Sequence, residues 1–279
     1  MTPEDLNPQA EQMADESMVR NLAAQAEAIW PMEGPLFDRY RVPVDARILD
    51  AGCGTGEIAS RLAGRFPHAT VLGVDIIDEH LDLARARYGS LAPRLGFDNQ
   101  SIYELDAADG TFDLTVCRHV LHSIPHADRV IAELVRVTRR GGWLHIVPED
   151  YGMLHFAHRD PDPADFWHEV PTAFGKATNT DLFIGRDIFG IFAGLGLEKI
   201  AIDYLPVDTL RARDLFADII TAWRDGYSGA IGEHTAVSSD AARRYFDRMI
   251  ENIRDPRGYA VWMVPVAAAR VPPVEADRS

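Results

Sequence analysis

Two kinds of hydrophobic pattern alternate between residues 46 and 148 of the chain. Short apolar runs typical of strands are followed by segments in which apolar residues recur at helical spacing. The strand-like runs are residues 48–50, 71–75, 95–97, 112–117 and 143–147, and the helical patterns between them begin at Glu57, at Asp78 and after Pro125. This alternation predicts a parallel sheet with helices on both of its faces.

The pattern changes on either side of this region. Residues 8–30 read as one amphipathic helix that ends at Trp30-Pro31, and residues 149–184 read as a long loop with short helices. A helix near 185–193, a strand near 197–205, two amphipathic helices and a last strand at 259–266 follow. We therefore expect an α/β doubly wound fold with a mostly parallel seven-stranded sheet, an N-terminal helix and a C-terminal helical cap.

These patterns also predict how the chain is divided. We expect an N-terminal helical lid at 1–45, a sheet domain at 46–205 and 259–266, a helical cap at 206–258 and a tail at 267–279. Residues 1–7 and the Pro-rich segment from Val271 are expected to be frayed. Amphipathicity shows that one face of the N-terminal helix is buried, but it leaves open whether that face packs on the domain or covers a ligand.

Three glycines follow the first strand at alternate positions, Gly52, Gly54 and Gly56. Glycines at a strand-to-helix turn allow a sharp bend and let a ligand approach the backbone. In the dinucleotide fingerprint G-x-G-x-x-G the third glycine comes one residue later, where this chain has Glu57. A carboxylate there would repel a pyrophosphate, whereas it suits a ligand that carries an amine or a sulfonium.

The second strand ends in Asp75, 19 residues beyond Gly56, where a nucleotide-binding α/β unit holds ribose hydroxyls. With these residues the chain resembles the class I S-adenosylmethionine (SAM)-dependent methyltransferases. The motif Leu49-Asp50-Ala51-Gly52-Cys53-Gly54-Thr55-Gly56 carries this resemblance. It implies that the chain binds SAM in a Rossmann-like domain, transfers its methyl group and releases S-adenosylhomocysteine.

The resemblance also implies a set of cofactor contacts. Where the family often has an aspartate for the adenine amino group, this chain has Ser101, a weaker acceptor, and Arg118 could pair with the cofactor carboxylate. The predicted cofactor-binding residues are Asp50, Gly52, Cys53, Gly54, Gly56, Asp75, Ile76, Ser101, Ile102 and Arg118.

Titratable residues follow the fourth and fifth strands, where ligands bind in open α/β sheets. His119, His122 or Glu149 could act as the general base that removes a proton from the methyl acceptor, with His122 preferred. Transfer by positioning alone, without a base, is the alternative. His119, His122 and His126 also have a spacing that metal sites use, but no acid or cysteine accompanies them and Pro125 interrupts them. No metal is therefore expected.

Composition narrows the function further. The formal net charge of −15 opposes binding to nucleic acid and to anionic lipid. No apolar stretch is long enough to cross a bilayer, the N-terminus lacks the features of a signal peptide, and two cysteines make no disulfide framework, which favours a cytoplasmic protein.

We expect methyl transfer to an N or O atom of a small molecule. The alternatives are a methyltransferase that acts on protein or RNA, and a SAM-binding regulator without catalysis. The methyl acceptor stays open, and a homo-oligomer is compatible with the sequence.

Overall fold

The computed structural model describes residues 6–157 and 160–273. Within these ranges eight strands form one sheet in the order β3-β2-β1-β4-β5-β8-β6, and β7 pairs with β8. The strands are β1 (Arg47–Ala51), β2 (Thr70–Asp75), β3 (Leu95–Asn99), β4 (Phe112–Arg118), β5 (Thr138–Val147), β6 (Leu154–Phe156), β7 (Glu198–Asp208) and β8 (Ala260–Arg270).

Strand direction decides where a ligand can bind. The pairs β1–β2, β1–β4, β2–β3 and β4–β5 are parallel, while β8 runs antiparallel to β5, β6 and β7. Asp50 lies opposite Gly73 on one side and Val116 on the other. The carboxyl ends of β1, β2 and β4 therefore meet at one edge, which creates the crevice in which such sheets bind ligands. The predicted fold class is confirmed, with one more short strand than expected.

Helices cover both faces of the sheet. They are α1 (Ala10–Ala14), α2 (Glu16–Glu33), α3 (Glu57–Arg65), α4 (Asp78–Tyr88), α5 (Ala127–Val137), α6 (Pro163–Thr178), α7 (Ile188–Gly194), α8 (Arg213–His234) and α9 (Ser239–Arg254). On one face Val130 and Leu134 of α5 join the cluster that contains Phe192 of α7. On the other face Ile58 and Leu62 of α3 join the cluster around Phe37. A third cluster joins α2, α6, α8 and α9 above the antiparallel strands.

The N-terminal helix differs from the prediction in two ways. It is broken at Asp15, whose side chain accepts a hydrogen bond from the Ser17 N–H at 2.8 Å and so caps α2. It also continues past Trp30, because Pro31 lies inside α2. Proline removes the donor to the carbonyl four residues back, and here that residue is the exposed Glu27, whose carbonyl can turn to water. The predicted end at Trp30-Pro31 is wrong.

The segment 149–184 is more ordered than predicted. It contains the 16-residue helix α6, which begins with Pro163 and is capped by the Asp162 carboxylate. Phe166, Val170 and Phe174 recur at helical spacing and are buried. Pro171, which is also buried, interrupts the helical sequence between them, and a proline inside a segment argues against a helix. The expected long loop is therefore wrong.

Two further boundaries are corrected by strand pairing. A glycine pair is a common helix end, so Gly141-Gly142 predicts the end of the helix that follows Pro125. Helix α5 instead ends at Val137, because β5 already begins at Thr138 and pairs with Phe112 of β4. Strand β8 continues to Arg270, which pairs with Trp143, so residues 267–270 are strand rather than tail. Sheet hydrogen bonds fix both boundaries, and a local pattern does not show them.

The structure leaves some of the sequence predictions untested. The division into lid, sheet domain and cap stays a prediction. His158 and Arg159, in the predicted loop at 149–184, lie outside the described residues, as do 1–5 and 274–279. Within the part of the chain that the structure describes, no helix is both long enough and apolar enough to cross a membrane.

Candidate cofactor and active site

A cavity of about 430 Å³ opens at the carboxyl ends of β1, β2 and β4. Its floor is the glycine turn, and one wall follows β2 and β3. Leu6, Asn7, Met13 and Leu22 of the N-terminal segment form the opposite wall. The volume suits a cofactor or a drug-sized molecule. Of the predicted cofactor residues, those that line the cavity are Gly52, Gly54, Asp75, Ile76, Ser101, Ile102 and Arg118.

The glycine turn is shaped by positive φ angles and close neighbours. Gly52 has φ +73°, and a Cβ there would lie 2.4 Å from a methyl carbon of Val120. Gly54 has φ +51°, and its Cβ would lie 2.8 Å from Leu22. An L side chain at either position would therefore be strained and would collide with a cavity wall. Gly56 and Cys53 do not line the cavity; they help to form the turn, since the Gly56 N–H donates to the Cys53 carbonyl at 3.0 Å.

Asp75 fixes the turn from the neighbouring strand. Its Oδ2 accepts a hydrogen bond from the Gly54 N–H at 2.8 Å, and its Oδ1 accepts one from the Ile77 N–H at 3.0 Å. Each carboxylate oxygen can accept a further hydrogen bond. On the wall beside it, the Ser101 Oγ accepts a weak hydrogen bond from the Tyr103 N–H at 3.3 Å. Both side chains therefore keep the capacity to bind a ligand.

Glu57 does not face this cavity. Its carboxylate accepts hydrogen bonds from the Thr55 hydroxyl at 2.5 Å and from Arg87 at 2.7 Å, and it is not among the lining residues. The interpretation that this carboxylate favours a positively charged ligand therefore loses its basis, because Arg87, 30 residues along the chain, already pairs with Glu57.

Arg118 reaches the cavity from the end of β4 and forms a buried ion pair. Its Nε lies 2.7 Å from Oε1 of Glu33, at the end of α2, and the Glu33 side chain is completely buried. The same Oε1 lies 2.9 Å from Nε2 of His145, whose Nδ1 is 2.6 Å from the hydroxyl of Tyr40. Burial alone would raise the pKa of Glu33, but Arg118 and His145 outweigh it and lower the pKa to about 2.

Arg118 also keeps a donor without a partner in the described chain. The Nη2 of Arg118 is buried and has no hydrogen-bond partner among the described residues. Sequence reasoning missed Glu33, since an acid near the end of an amphipathic helix resembles any solvated residue. Only its position in the folded chain shows that it balances Arg118.

His119 and Glu149 form a buried pair beside the cavity. His119 follows β4 in the left-handed region, with φ +55°, which is uncommon for a residue other than glycine. Its Nδ1 is hydrogen-bonded to Oε1 of Glu149, which follows β5. Nε2 of His119 and Oε2 of Glu149 are buried without a hydrogen-bond partner in the described chain. His119 lines the cofactor-sized cavity, whereas Glu149 lies behind it.

His122 does not line the cofactor-sized cavity. It lines a second, smaller cavity between helices α6, α8 and α9, and its Nε2 is 3.4 Å from the hydroxyl of Tyr151. Burial lowers the pKa of His122 to about 4, although Glu149 acts in the opposite direction. The structure thus brings together two of the three candidate bases, His119 and Glu149, and places the third apart from the cofactor-sized cavity.

Asp50 also lies behind the cavity wall. Its carboxylate is buried, and burial raises its pKa to about 7, even though Arg118 and the Ala59 N–H act against this. Cys53 and Cys117 are buried free thiols. Across residues 6–157 and 160–273, no group of histidine, cysteine and acidic side chains is arranged to hold a metal ion.

Comparison with known proteins relates part of this chain to one family. Residues 48–142 match the family model described as a methyltransferase domain. Trans-aconitate 2-methyltransferase from Deinococcus radiodurans is 40% identical over 115 residues, which are 41% of this chain and 42% of that protein. The chain thus matches less than half the length of that relative.

Two further likenesses extend over most of the chain. The S-adenosyl-L-methionine-dependent Diels-Alderase iccD from Talaromyces variabilis is 26% identical over 250 residues, 86% of this chain and 80% of that protein. Phosphoethanolamine N-methyltransferase 2 from Haemonchus contortus, solved with phosphomonomethylethanolamine and S-adenosylhomocysteine, superimposes with a TM-score of 0.58 at 18% identity over 87% of this chain and 53% of that chain. The predicted resemblance to class I SAM-dependent methyltransferases is confirmed.

Proposed function

We propose that this chain, whose residues 48–142 match the methyltransferase-domain family, is a SAM-dependent enzyme that transfers a methyl group to an N or O atom of a small molecule. The observation that carries the proposal is the cavity of about 430 Å³, which is lined by the glycine turn, Asp75 and His119, with Glu149 hydrogen-bonded to His119 behind it. The residues proposed to bind the cofactor and the proposed base therefore line one cavity.

The residues around the cavity fit SAM, which supplies a methyl group on a positively charged sulfur. Asp75 has acceptor capacity for ribose hydroxyls, and the glycine turn allows the ligand to approach the backbone. Ser101 and Ile102 suit the adenine side of the cavity. The unpartnered Nη2 of Arg118 would donate to the cofactor carboxylate, since a buried donor without a partner is costly and a charged hydrogen bond relieves that cost.

The proton that the methyl acceptor loses is proposed to go to His119. When Glu149 accepts a hydrogen bond from Nδ1–H, the lone pair of His119 lies on Nε2, which is the unpartnered nitrogen. The carboxylate also stabilises the imidazolium that forms, as a carboxylate does behind other catalytic histidines. His122 is a less suitable base, because its pKa of about 4 keeps it from holding a proton near neutral pH.

The substrate is proposed to be a small molecule because the chain is acidic. A net charge of −15 repels nucleic acid, and the N-terminal residues that line the cavity enclose it on the side away from the sheet. An enclosed cavity of this kind admits a small acceptor more readily than a folded macromolecule.

A second function is favoured by the length of one match. The likeness to the Diels-Alderase spans 86% of this chain and so extends well beyond the methyltransferase-domain match at 48–142, whereas the likeness to trans-aconitate 2-methyltransferase spans 41%. A Diels–Alder reaction forms a ring from two unsaturated groups and transfers no methyl group, so SAM would not be consumed. The two functions differ in whether S-adenosylhomocysteine is formed.

The first experiment is calorimetry with SAM, S-adenosylhomocysteine and NAD. We expect both sulfur compounds to bind and NAD not to bind. Asp75→Ala should weaken binding about tenfold or more, because a hydrogen bond to a charged group is lost. Asp98→Ala is the matched control, since Asp98 is an exposed acid at the end of the neighbouring strand and does not line the cavity. Tighter binding of NAD than of SAM would refute the proposal.

The second experiment screens small-molecule acceptors for formation of S-adenosylhomocysteine. Once an acceptor is found, kcat is measured against pH for the wild type, His119→Gln, Glu149→Gln and His122→Gln. We expect the first two variants to lose about 10²–10⁴-fold in kcat while SAM affinity stays within a few fold. Near-normal kcat in both would show that positioning alone drives the reaction. Substrate turnover with intact SAM would favour the ring-forming function.

A further inference from the structure

The second cavity, of about 50 Å³, lies between the cap and the N-terminal segment and is built from aromatic rings. Tyr151 is stacked on Trp167 with ring centroids 5.5 Å apart and an interplanar angle of 14°, and Trp223 meets Tyr151 edge-on. Phe174 and Tyr227 complete the wall. Among the described residues that line it, none is Asp, Glu, Lys or Arg.

Three polar groups on this wall lack a partner. Nε1 of Trp167, Nε2 of Gln9 and Nδ1 of His122 are each buried without a hydrogen bond to the described protein. Gln9 already uses its Oε1 to accept from the Tyr227 hydroxyl at 3.2 Å, so the amide N–H group is the end that remains free. An indole and an amide nitrogen can only donate. Two residues of the wall therefore each keep a donor that has no acceptor in the described protein.

We propose that this cavity binds an uncharged, planar, unsaturated group of the substrate that carries a carbonyl-type oxygen. The stacked and edge-on rings suit the flat group, and the oxygen accepts the hydrogen bonds that Trp167 and Gln9 offer. The room available fits a few atoms, so the cavity takes one end of a ring or conjugated chain. That this cavity binds the methyl-accepting substrate rests on the proposed methyl transfer. The preference for a planar carbonyl group follows from the residues of the cavity wall alone.

The chemistry of the wall disfavours charged ligands. A carboxylate or phosphate would lose its hydration without meeting a cationic side chain. A quaternary ammonium would gain from the aromatic faces, yet it has no lone pair and would leave the indole and amide donors unpartnered. His122 does not change this balance, because burial lowers its pKa to about 4 and keeps the imidazole neutral.

This cavity is also close to the reacting groups along the chain. His122 follows His119 by three residues, and Tyr151 follows Glu149 by two. A substrate held by the aromatic wall is therefore bound by the same two segments that carry the candidate base. Gln9 lines this wall, while its neighbours Leu6 and Asn7 line the cofactor-sized cavity, so the N-terminal segment covers both.

The test compares three probes of similar shape on the full chain saturated with S-adenosylhomocysteine: acetophenone, cumene and phenyltrimethylammonium. Acetophenone carries the carbonyl, cumene lacks it and the third probe is a cation. Affinities are measured by ligand-observed NMR titration. We expect acetophenone to bind about two- to tenfold more tightly than cumene, as one net hydrogen bond predicts, and the cation to bind least.

Substitutions in the cavity wall test which side chains cause the preference for acetophenone over cumene. Trp167→Phe keeps a ring and removes one of the two donors, so it should reduce the preference for acetophenone. Trp262→Phe is the matched control, because Trp262 is also fully buried with an unpartnered Nε1 but does not line this cavity. Gln9→Leu gives a second route if Trp167→Phe fails to fold, as judged by circular dichroism and melting, and it should reduce the preference as well.

Several results would overturn the inference. These are equal affinity for acetophenone and cumene, tightest binding of the cation, a preference that survives both Trp167→Phe and Gln9→Leu, or binding of none of the probes. Binding of S-adenosylhomocysteine is measured separately by calorimetry. If it binds and the probes do not discriminate, the ligand preference is wrong while the proposed function stands. If it does not bind, the proposed cofactor is wrong, and the probes still decide the chemistry of the cavity in the protein alone.

Discussion

The buried ion pair between Glu33 and Arg118 gives the sharpest prediction about the fold. Glu33→Gln keeps the size of the side chain and removes only its charge. The pKa of Glu33 falls from 4.5 to about 2 in the folded protein, which corresponds to about 3 kcal/mol at 1.36 kcal/mol per pH unit. Breaking a buried pair by removing one partner costs about 3–5 kcal/mol. We therefore expect the variant to lose about 3 kcal/mol of stability at pH 7.

The assay is thermal unfolding followed by circular dichroism. A loss of about 3 kcal/mol should lower Tm by roughly 6–12 °C for a domain of this size. Glu16→Gln is the matched control on the same helix, since Glu16 pairs with Arg20 at 2.9 Å but its side chain is 74% exposed. Solvent screens such a pair, so Tm should change by less than about 2 °C.

The pH dependence provides an independent check. Because the folded pKa lies below the unfolded value, the ionised Glu33 stabilises the protein above pH 4.5, and this contribution is lost as the pH falls toward 2. The difference in Tm between the wild type and Glu33→Gln should therefore narrow between pH 4.5 and 3. If Glu33→Gln melts within 2 °C of the wild type at pH 7, as Glu16→Gln should, the buried pair does not contribute as the structure indicates.

Three further predictions concern buried side chains. Trp223→Ala should lower the free energy of unfolding by about 3–5 kcal/mol, because the indole is 4% exposed and packs edge-on against Tyr151 and Trp262. An unchanged denaturation midpoint would contradict that packing. Burial lowers the pKa of His122 to about 4, so the unfolded chain binds a proton at this histidine more readily than the folded protein does. The free energy of unfolding should therefore fall as the pH drops from 6.5 to 4, and His122→Phe should reduce this dependence on pH. Burial raises the pKa of Asp50 to about 7, so its contribution has the opposite sign, and Asp50→Asn should remove a loss of stability that develops as the pH rises from 4 to 7. Unfolding curves at a series of pH values measure both slopes, and an Asp50→Asn slope equal to that of the wild type would contradict the burial of this carboxylate.

Local patterns in the sequence predicted those parts of the fold in which residues that are close along the chain are also close in space. Strand β1, the glycine turn and helix α3 form one continuous segment, and Asp75 ends the adjacent strand, so spacing alone predicted them. Helix α6 was missed, although its apolar residues recur at helical spacing, because Pro171 interrupts its middle. The helix forms because it packs against α8 and α9, where burial of its apolar face stabilises it.

The tertiary structure alone decided which polar groups meet. Glu33 and Arg118 are 85 residues apart, and nothing near either of them along the chain marks the pair. The choice of His119 over His122 likewise depends on where β4 and β5 end relative to the two cavities. The physical reason is that a buried charge or donor is stable only with a partner, and the fold, not the local sequence, supplies that partner from a distant segment.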